Sequence, residues 1–336
     1  MIIKKMLKKL KIIALVIFIS TFNSNAFSNQ ADFDIWLINF KSLALKKGIS
    51  KKTIDNVMND AKFLDQVIIY DNRQPEFFEK TKMYISKRAT SRALKNAIIK
   101  YKEYGEIFLK VENEFKVEKE ILLALWSIET NFGRNFGKMD TVSSLATLSF
   151  DKRRSAFFTK ELLILLNLVD KNILSKDMLF GSWAGAIGNF QFMPSTILNH
   201  GIDYDGDNKI DLKKSMYDSI ASAANYINKT GWRYKDFCFQ RVKFTKKINK
   251  ELFNHSARNI KNRKNSNYWN QNGLLSYNNN SKIDFKSKTA LVLPDGDANS
   301  PKYLVTENYE KILKWNRSLR FALTVCTLAD RIKNEI

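Results

Sequence analysis

Glu129 is the single carboxylate in the stretch "LWSIETNFGRNFG", Leu125 to Gly137, at the end of an almost wholly apolar run. Desolvation among Trp126, Ile128 and Phe132 disfavours its charged form, and the negative end of a helix acts in the same sense. Both push the pKa upward, toward the ~6–7 useful to a general acid at neutral pH. The competing reading is a structural ion pair with Arg134 or Arg153, and burial alone leaves the two open. A second stretch, "GSWAGAIGNFQFMPS", sets small residues beside Trp183, Phe190, Phe192 and Met193, with Ser182, Asn189 and Gln191 as its few polar groups. Sugar rings pack on such apolar floors while a few donors read hydroxyls and amides. A close helix–helix contact would use the same small residues. A third stretch, "DYDGDNKID", places Asp203, Asp205 and Asp207 at alternate positions with the Lys209 carbonyl next, the spacing of an EF-hand-like loop. Asn208 stands where glycine is usual, although asparagine tolerates the left-handed conformation. Lys214, at the twelfth position, cannot close the loop as a bidentate ligand. A structural Ca²⁺ and a plain acidic turn both fit this pattern.

These residues need elements to hold them. "EKEILLALWSIETNFG" is apolar around most of its circumference, which predicts a buried helix with Glu129 near its C-terminal end. Helical periodicity runs from Phe33 to about Lys102, with Ser50 as an N-cap and a break at Pro75. It continues in a block from about Leu94 to Ala186, interrupted by Gly181, Gly185 and Gly188. "MYDSIASAANYINKTGW" is helical and stops near Gly231. From Phe237 to about Thr306 short alternating stretches such as "CFQRVKF" and "TALVLP" predict a small β-rich lobe with long loops. Within it "NIKNRKNSNYWNQN" reads as a solvated linker. "SLRFALTVCTLADRI" forms a last helix, and no internal repeat is present. The expectation is a mainly α (α+β) chain: residues 1–26 a leader, 27–110 an N-terminal helical lobe, 111–236 a core containing the acidic loop 203–218, 237–306 the β-rich lobe, and 307–336 a helix completing the core.

"MIIKKMLKKLKIIALVIFISTFNSNA" has the lysine-rich start, apolar middle and small-residue end of a secretory signal peptide, cleaved near Ala26. Its apolar run is shorter than the ~20 residues of a spanning helix, and no lipid-accepting cysteine follows it. The expected location is the periplasm. The chain carries a net charge of +22, and a basic surface steers polyanions. Export argues against nucleic acid and leaves cell-wall carboxylates, acidic wall polymers or anionic lipid as partners. His200 and His255 are the only histidines, so a histidine metal cluster is excluded. Cys238 and Cys326 are free to pair in an oxidising compartment, but spacing alone does not settle it.

In this order, "NRQPEFFEK", "IETNFG", "LATLSFDKRRSAFFTKEL", "GSWAGAIGNFQFMPS", "DYDGD", "AANYINKTGW" and "LKWNRSLRFA" resemble the membrane-bound lytic murein transglycosylase B family over nearly the whole mature chain. The resemblance implies a goose-lysozyme-like helical core that cleaves the β-1,4 bond between N-acetylmuramic acid and N-acetylglucosamine. Glu129 would be the single acid and then base, giving 1,6-anhydro ends. Ordinary glycosidases use two carboxylates, whereas here the substrate's N-acetyl oxygen would steady the charge at C1. By the same resemblance Ser182, Gln191, Phe192 and Met193 line the cleft, Tyr226 orients the glutamate and the scissile sugar, and Asn316 meets an acetamido group. Trp315 and Phe321 stand where some members have tyrosines, which preserves stacking and puts hydroxyl contacts in question. Arg153 and Arg154 would meet stem-peptide carboxylates or else serve as salt-bridge partners of the core. Asp218 would join Asp203, Asp205, Asp207 and Lys209 around a structural Ca²⁺, with no cofactor needed for catalysis. Expected partners are glycan strands and wall-synthesis or division proteins, acting on a monomer. A hydrolytic muramidase and a non-catalytic peptidoglycan-binding scaffold remain as alternatives.

Overall fold

The structure, a computed structural model, describes residues 30–74 and 78–336. The leader expected at 1–26 and the break expected at Pro75 lie outside the described residues. The fold is mainly α with a small sheet. A first helix, α1, spans 30–46, followed by α2 (Lys51–Met58) and α3 (Asp65–Asn72). Ser50 caps α2 as expected, its side chain accepting from Thr53 N–H. Helices α4 (Thr81–Arg88) and α5 (Ser91–Phe115) complete the first part.

Helix α6 (Lys119–Thr130) is the central element. Leu122, Leu123, Ala124 and Leu125 are fully buried, as an all-round apolar helix must be. The chain leaves it through three successive left-handed residues, Asn131, Phe132 and Gly133. Helices α7 (Thr141–Phe150) and α8 (Ser155–Asp170) pack against each other. The helical block does not run unbroken to Ala186. Met139–Asp140 (β1) pairs with Phe180–Gly181 (β2), and a single 3-10 turn, Lys176–Met178, lies between α8 and β2. The glycines explain this departure: a Cβ on Gly137 would stand 2.0 Å from the Gly181 carbonyl oxygen, so the two chain segments meet at backbone distance.

Helix α9 (Pro194–His200) starts with proline at its first position, where no N–H is missed. Helix α10 (Met216–Lys229) ends just before Gly231, as expected. The lobe after residue 237 contains β3 (Phe239–Phe244), β4 (Phe253–Asn254), β5 (Leu274–Ser276), β6 (Ala290–Val292) and β7 (Lys302–Val305), ordered β4-β6-β7-β3-β5. Only β4–β6 is parallel. The stretch expected as a solvated linker is structured. Lys264 bridges Thr289, Ser266–Gln271 forms helix α11, and Trp269 is fully buried in this lobe's own core with Val242, Leu274 and Leu291. Its polar composition hid one large apolar anchor.

Helices α12 (Glu307–Trp315) and α13 (Leu319–Lys333) return to the main core, where α13 packs on α6. Cys238 and Cys326 form a disulfide that ties the β lobe to α13 across 88 residues. Among the described residues no helix is long and apolar enough to cross a membrane.

Candidate active site

Glu129 sits in the last turn of α6, partly exposed, while its neighbours face the core. Its carboxylate Oε1 accepts a hydrogen bond of 2.8 Å from the indole Nε1 of Trp315. Neither cation considered from the sequence supplies that bond. Arg153 and Arg154 are both ion-paired to the buried Asp71 of α3, so the guanidiniums expected at the stem peptide are engaged by the N-terminal helices.

Trp315 ends α12 and is held by rings. It packs on Phe192 at 5.2 Å between centroids and on Phe190 at 6.2 Å, both edge-on. Tyr226 stacks on its other side at 5.1 Å and 26°, and His200 stacks on Tyr226 at 4.6 Å and 25°. The Tyr226 hydroxyl donates to the Lys314 carbonyl at 2.8 Å, fixing the backbone that carries the indole. Tyr226 is thus linked to Glu129 through Trp315 and the end of α12. Burial raises the Tyr226 pKa, which keeps the phenol a donor. Burial, assisted by Lys229, lowers that of His200, which keeps the imidazole neutral in the stack.

At position 315, where a hydroxyl contact was in question, the indole N–H supplies a polar contact of its own to Glu129. An indole can only donate, so its natural partner is an acceptor such as a carboxylate. Phe321 is a buried residue of α13. Asn316 caps α12 and is partly exposed beside Trp315.

The loop between β2 and α9 lies beside these rings, with Phe190 and Phe192 packed on Trp315. Ser182 Oγ accepts from Ala184 N–H and Ala186 N–H, at 3.3 and 3.0 Å. That leaves the hydroxyl proton to donate elsewhere. Gln191 has a left-handed backbone and its Nε2 donates to Gly188 and Phe136 carbonyls, at 3.0 and 3.2 Å. Phe192 N–H and C=O pair with Ile187, and Met193 leads into α9.

Asn189, expected among the cleft's polar groups, is 1% exposed and does different work. Its Oδ1 accepts from Trp126 Nε1 at 2.8 Å and its carbonyl accepts from Thr130 Oγ1 at 2.7 Å. Its Nδ2 donates to Leu212 and Lys213 carbonyls and to Ser219 Oγ. One side chain thus joins the glutamate's helix, the loop between β2 and α9, and α10. Gly133 completes the fit, since a Cβ there would meet Asn189 Oδ1 at 2.8 Å. Neither the role of His200 nor that of Asn189 was recoverable from sequence, because their partners are distant in the chain.

In the acidic loop, carboxylate oxygens of Asp203, Asp205 and Asp218 lie within 4.8 Å of one another. Asp207 stands outside that group and its Oδ1 accepts from Lys209 N–H. Asn208 adopts the left-handed conformation, φ 67°. Asp218 is fully buried, and desolvation first, then Asp205, raises its pKa against the backbone donors of Tyr204 and Asp211. Three converging oxygens, one desolvated, suit a hard cation.

The Transglycosylase SLT domain family matches residues 32–330. Membrane-bound lytic murein transglycosylase B of Escherichia coli K12 is 32% identical over 197 residues, 56% of this chain and 54% of the relative. The match thus spans about half the length of that curated relative. The crystal structure of SltB3 from Pseudomonas aeruginosa in complex with NAG-NAM-pentapeptide superposes with a TM-score of 0.82 at 29% identity, over 90% of this chain and 79% of that one. Escherichia coli Slt35 in complex with calcium gives 0.71 at 26% identity, over 92% and 95%.

Proposed function

Because the chain belongs to the Transglycosylase SLT domain family, we propose that it is a lytic transglycosylase cleaving the β-1,4 MurNAc–GlcNAc bond of peptidoglycan without water. The observation that carries this reading is partly exposed Glu129 held by the Trp315 indole beside a cluster of aromatic rings, with the family matched across residues 32–330. The relatives' printed ligand and name, a NAG-NAM-pentapeptide and a murein transglycosylase, supply the substrate class.

Protonated Glu129 donates its proton to the glycosidic oxygen as the bond to C1 breaks. The substrate's own N-acetyl oxygen meets the positive charge at C1, the task a second carboxylate performs in ordinary glycosidases. Glu129, now ionised and still accepting from Trp315, takes the proton of the muramoyl 6-hydroxyl. That oxygen closes on C1 to give the 1,6-anhydro end, and the enzyme regains its starting state. Ser182 and Asn316 read polar groups of the sugar, while Met193 and Trp315 carry its apolar face; Phe192, expected to line the cleft, is 2% exposed and instead packs against Trp315. Gln191 shapes the loop between β2 and α9 through its two carbonyl contacts. Arg153 and Arg154 stay with Asp71 rather than the stem peptide. Asp203, Asp205 and Asp218 would hold a structural Ca²⁺, which neutralises their mutual repulsion and fixes the loop that Asn189 leans on. The leader at 1–26 would export the chain to the periplasm, where it meets glycan strands as a monomer. The layout 27–110, 111–236, 237–306 and 307–336 is kept as part of this proposal, although helix α5 (Ser91–Phe115) runs across its first internal boundary.

Digestion of purified sacculi with mass spectrometry of the products tests the reading. Anhydromuropeptides are expected from the parent chain and none from Glu129→Gln. Reducing-end muropeptides would instead establish a hydrolytic muramidase, and sacculus binding without release would establish a scaffold.

A further inference from the structure

A cavity of about 750 Å³ opens where the β lobe meets α4, the start of α6 and the end of α13, and none of the cleft residues lines it. Its wall contains Lys82, Lys235, Arg241 and Lys333. Among the described residues none of these four forms an ion pair, and Arg241 lies instead 3.6 Å over the Tyr277 ring. The lining carboxylates are mostly engaged. Glu118 accepts from Trp232 Nε1 at 2.6 Å and from Lys235 N–H, Asp236 accepts from Ser287 Oγ, and Glu120 lies 3.7 Å from Lys119. Asp330 is the lining acid with no such partner among the described residues. With Arg331, which donates to the Ala89 carbonyl, the lining carries five cations against four carboxylates, three of which already have partners, and this excess favours an anion.

Two further features narrow the ligand. Ile85, Ile121, Phe237 and Pro301 make part of the wall apolar, and Gln240 and Asn278 add amides. A simple phosphate chain would gain nothing from the apolar wall and could use only the amide donors, whereas a peptide with small side chains uses the apolar wall and both the donors and acceptors of the amides. Lys235 is held in the left-handed conformation, φ 63°, with its N–H on Glu118. A non-glycine residue is strained there, and such strain often marks a functional position. The surrounding lobe has the same charge bias: residues 237–306 carry thirteen Lys and Arg against four Asp and Glu.

We propose that this cavity is a second, non-catalytic site that binds a carboxylate-bearing peptide segment of the wall polymer, with Arg241, Lys235, Lys82 and Lys333 receiving its carboxylates. The choice of peptide rests on the function proposed above; the anionic, partly apolar character of the ligand does not. Helix α6 joins the two sites, with Ile121 in the cavity wall and Glu129 in the cleft, about 12 Å apart along the axis. A glycan strand in the cleft and a peptide in the cavity would therefore anchor the enzyme at two points, and the disulfide Cys238–Cys326, also in the wall, holds the second point in shape.

Calorimetric titration of the full chain with the tripeptide L-Ala–γ-D-Glu–L-Lys, its carboxamide form and a short polyphosphate tests this. Saturable binding of the free-acid tripeptide is expected, about tenfold weaker in Arg241→Ala and in Lys333→Ala. Lys333 is exposed at a helix end, so its variant keeps the test meaningful should Arg241→Ala misfold. Glu129→Gln should bind with unchanged affinity. Equal binding of the carboxamide, preference for polyphosphate, absence of binding, or indifference to both cavity variants would overturn the proposal. A parent chain that binds the tripeptide but releases no muropeptides would defeat the enzymatic reading and leave this site standing.

Discussion

The Trp315 indole N–H donates to Glu129 Oε1 at 2.8 Å, joining residues 186 positions apart at the ends of two helices. The bond fixes one oxygen of the carboxylate. Trp315 is in turn fixed by Tyr226 and the Lys314 carbonyl, so the acid's orientation depends on a stack of rings.

Trp315→Phe keeps the ring and deletes the donor. Turnover of sacculi should fall roughly 10–100-fold, the scale of a misaligned reacting group, with the melting temperature nearly unchanged. Trp315→Tyr should recover part of the loss. Full activity in the Phe variant would show that the indole only packs.

Asn189→Ala strands the buried Trp126 indole N–H and removes the donor to the Lys213 carbonyl, while the Leu212 carbonyl keeps the Asn189 backbone N–H. An unsatisfied buried group costs ~1–3 kcal/mol, so urea unfolding should show a loss of about that size. Asn189→Asp keeps the acceptor for Trp126 and should separate that bond from the donors to the acidic loop.

His200 has its pKa lowered below the ordinary 6.5 by burial and by Lys229. The unfolded chain thus binds a proton there that the native chain refuses as pH falls through the ordinary value. Stability from this group is present above pH ~6.5 and is lost as pH drops through the lower native pKa. His200→Phe preserves the ring stack on Tyr226 and should flatten the fall of the melting temperature between about pH 7 and pH 5. A slope identical to the parent's would assign the acid sensitivity to other groups.

Added Ca²⁺ should raise the melting temperature, by a stabilisation of ~2.7 kcal/mol at a concentration one hundred times Kd. Chelator should reverse the gain, and Asp203→Ala with Asp205→Ala should abolish it. Asp207→Ala should leave most of it, since Asp207 lies outside the converging oxygens. Equal stability with and without the ion would make the loop a plain acidic turn.

The helical character, the burial of α6, the cap at Ser50 and the stop before Gly231 were legible in the chain, because they depend on periodicity and on contacts a few residues long. Glu129 stood out for a related reason: an acid closing an apolar run is visible in one dimension. The glycines of the loop between β2 and α9 announced close approach without saying to what. The polar stretch 259–272 misled, because one buried Trp269 outweighs many solvated neighbours.

By itself the sequence determined the elements, the order of its motifs and the isolation of one carboxylate. Tertiary structure alone decided that Trp315 is the glutamate's donor, that Arg153 and Arg154 serve Asp71, that Asn189 braces rather than reads, and that Cys238 meets Cys326. The physical reason is common to all four. A hydrogen bond, an ion pair or a disulfide is directional and works over a few ångströms, so its partner is chosen by the packing of helices far apart in the chain, which local propensity cannot encode.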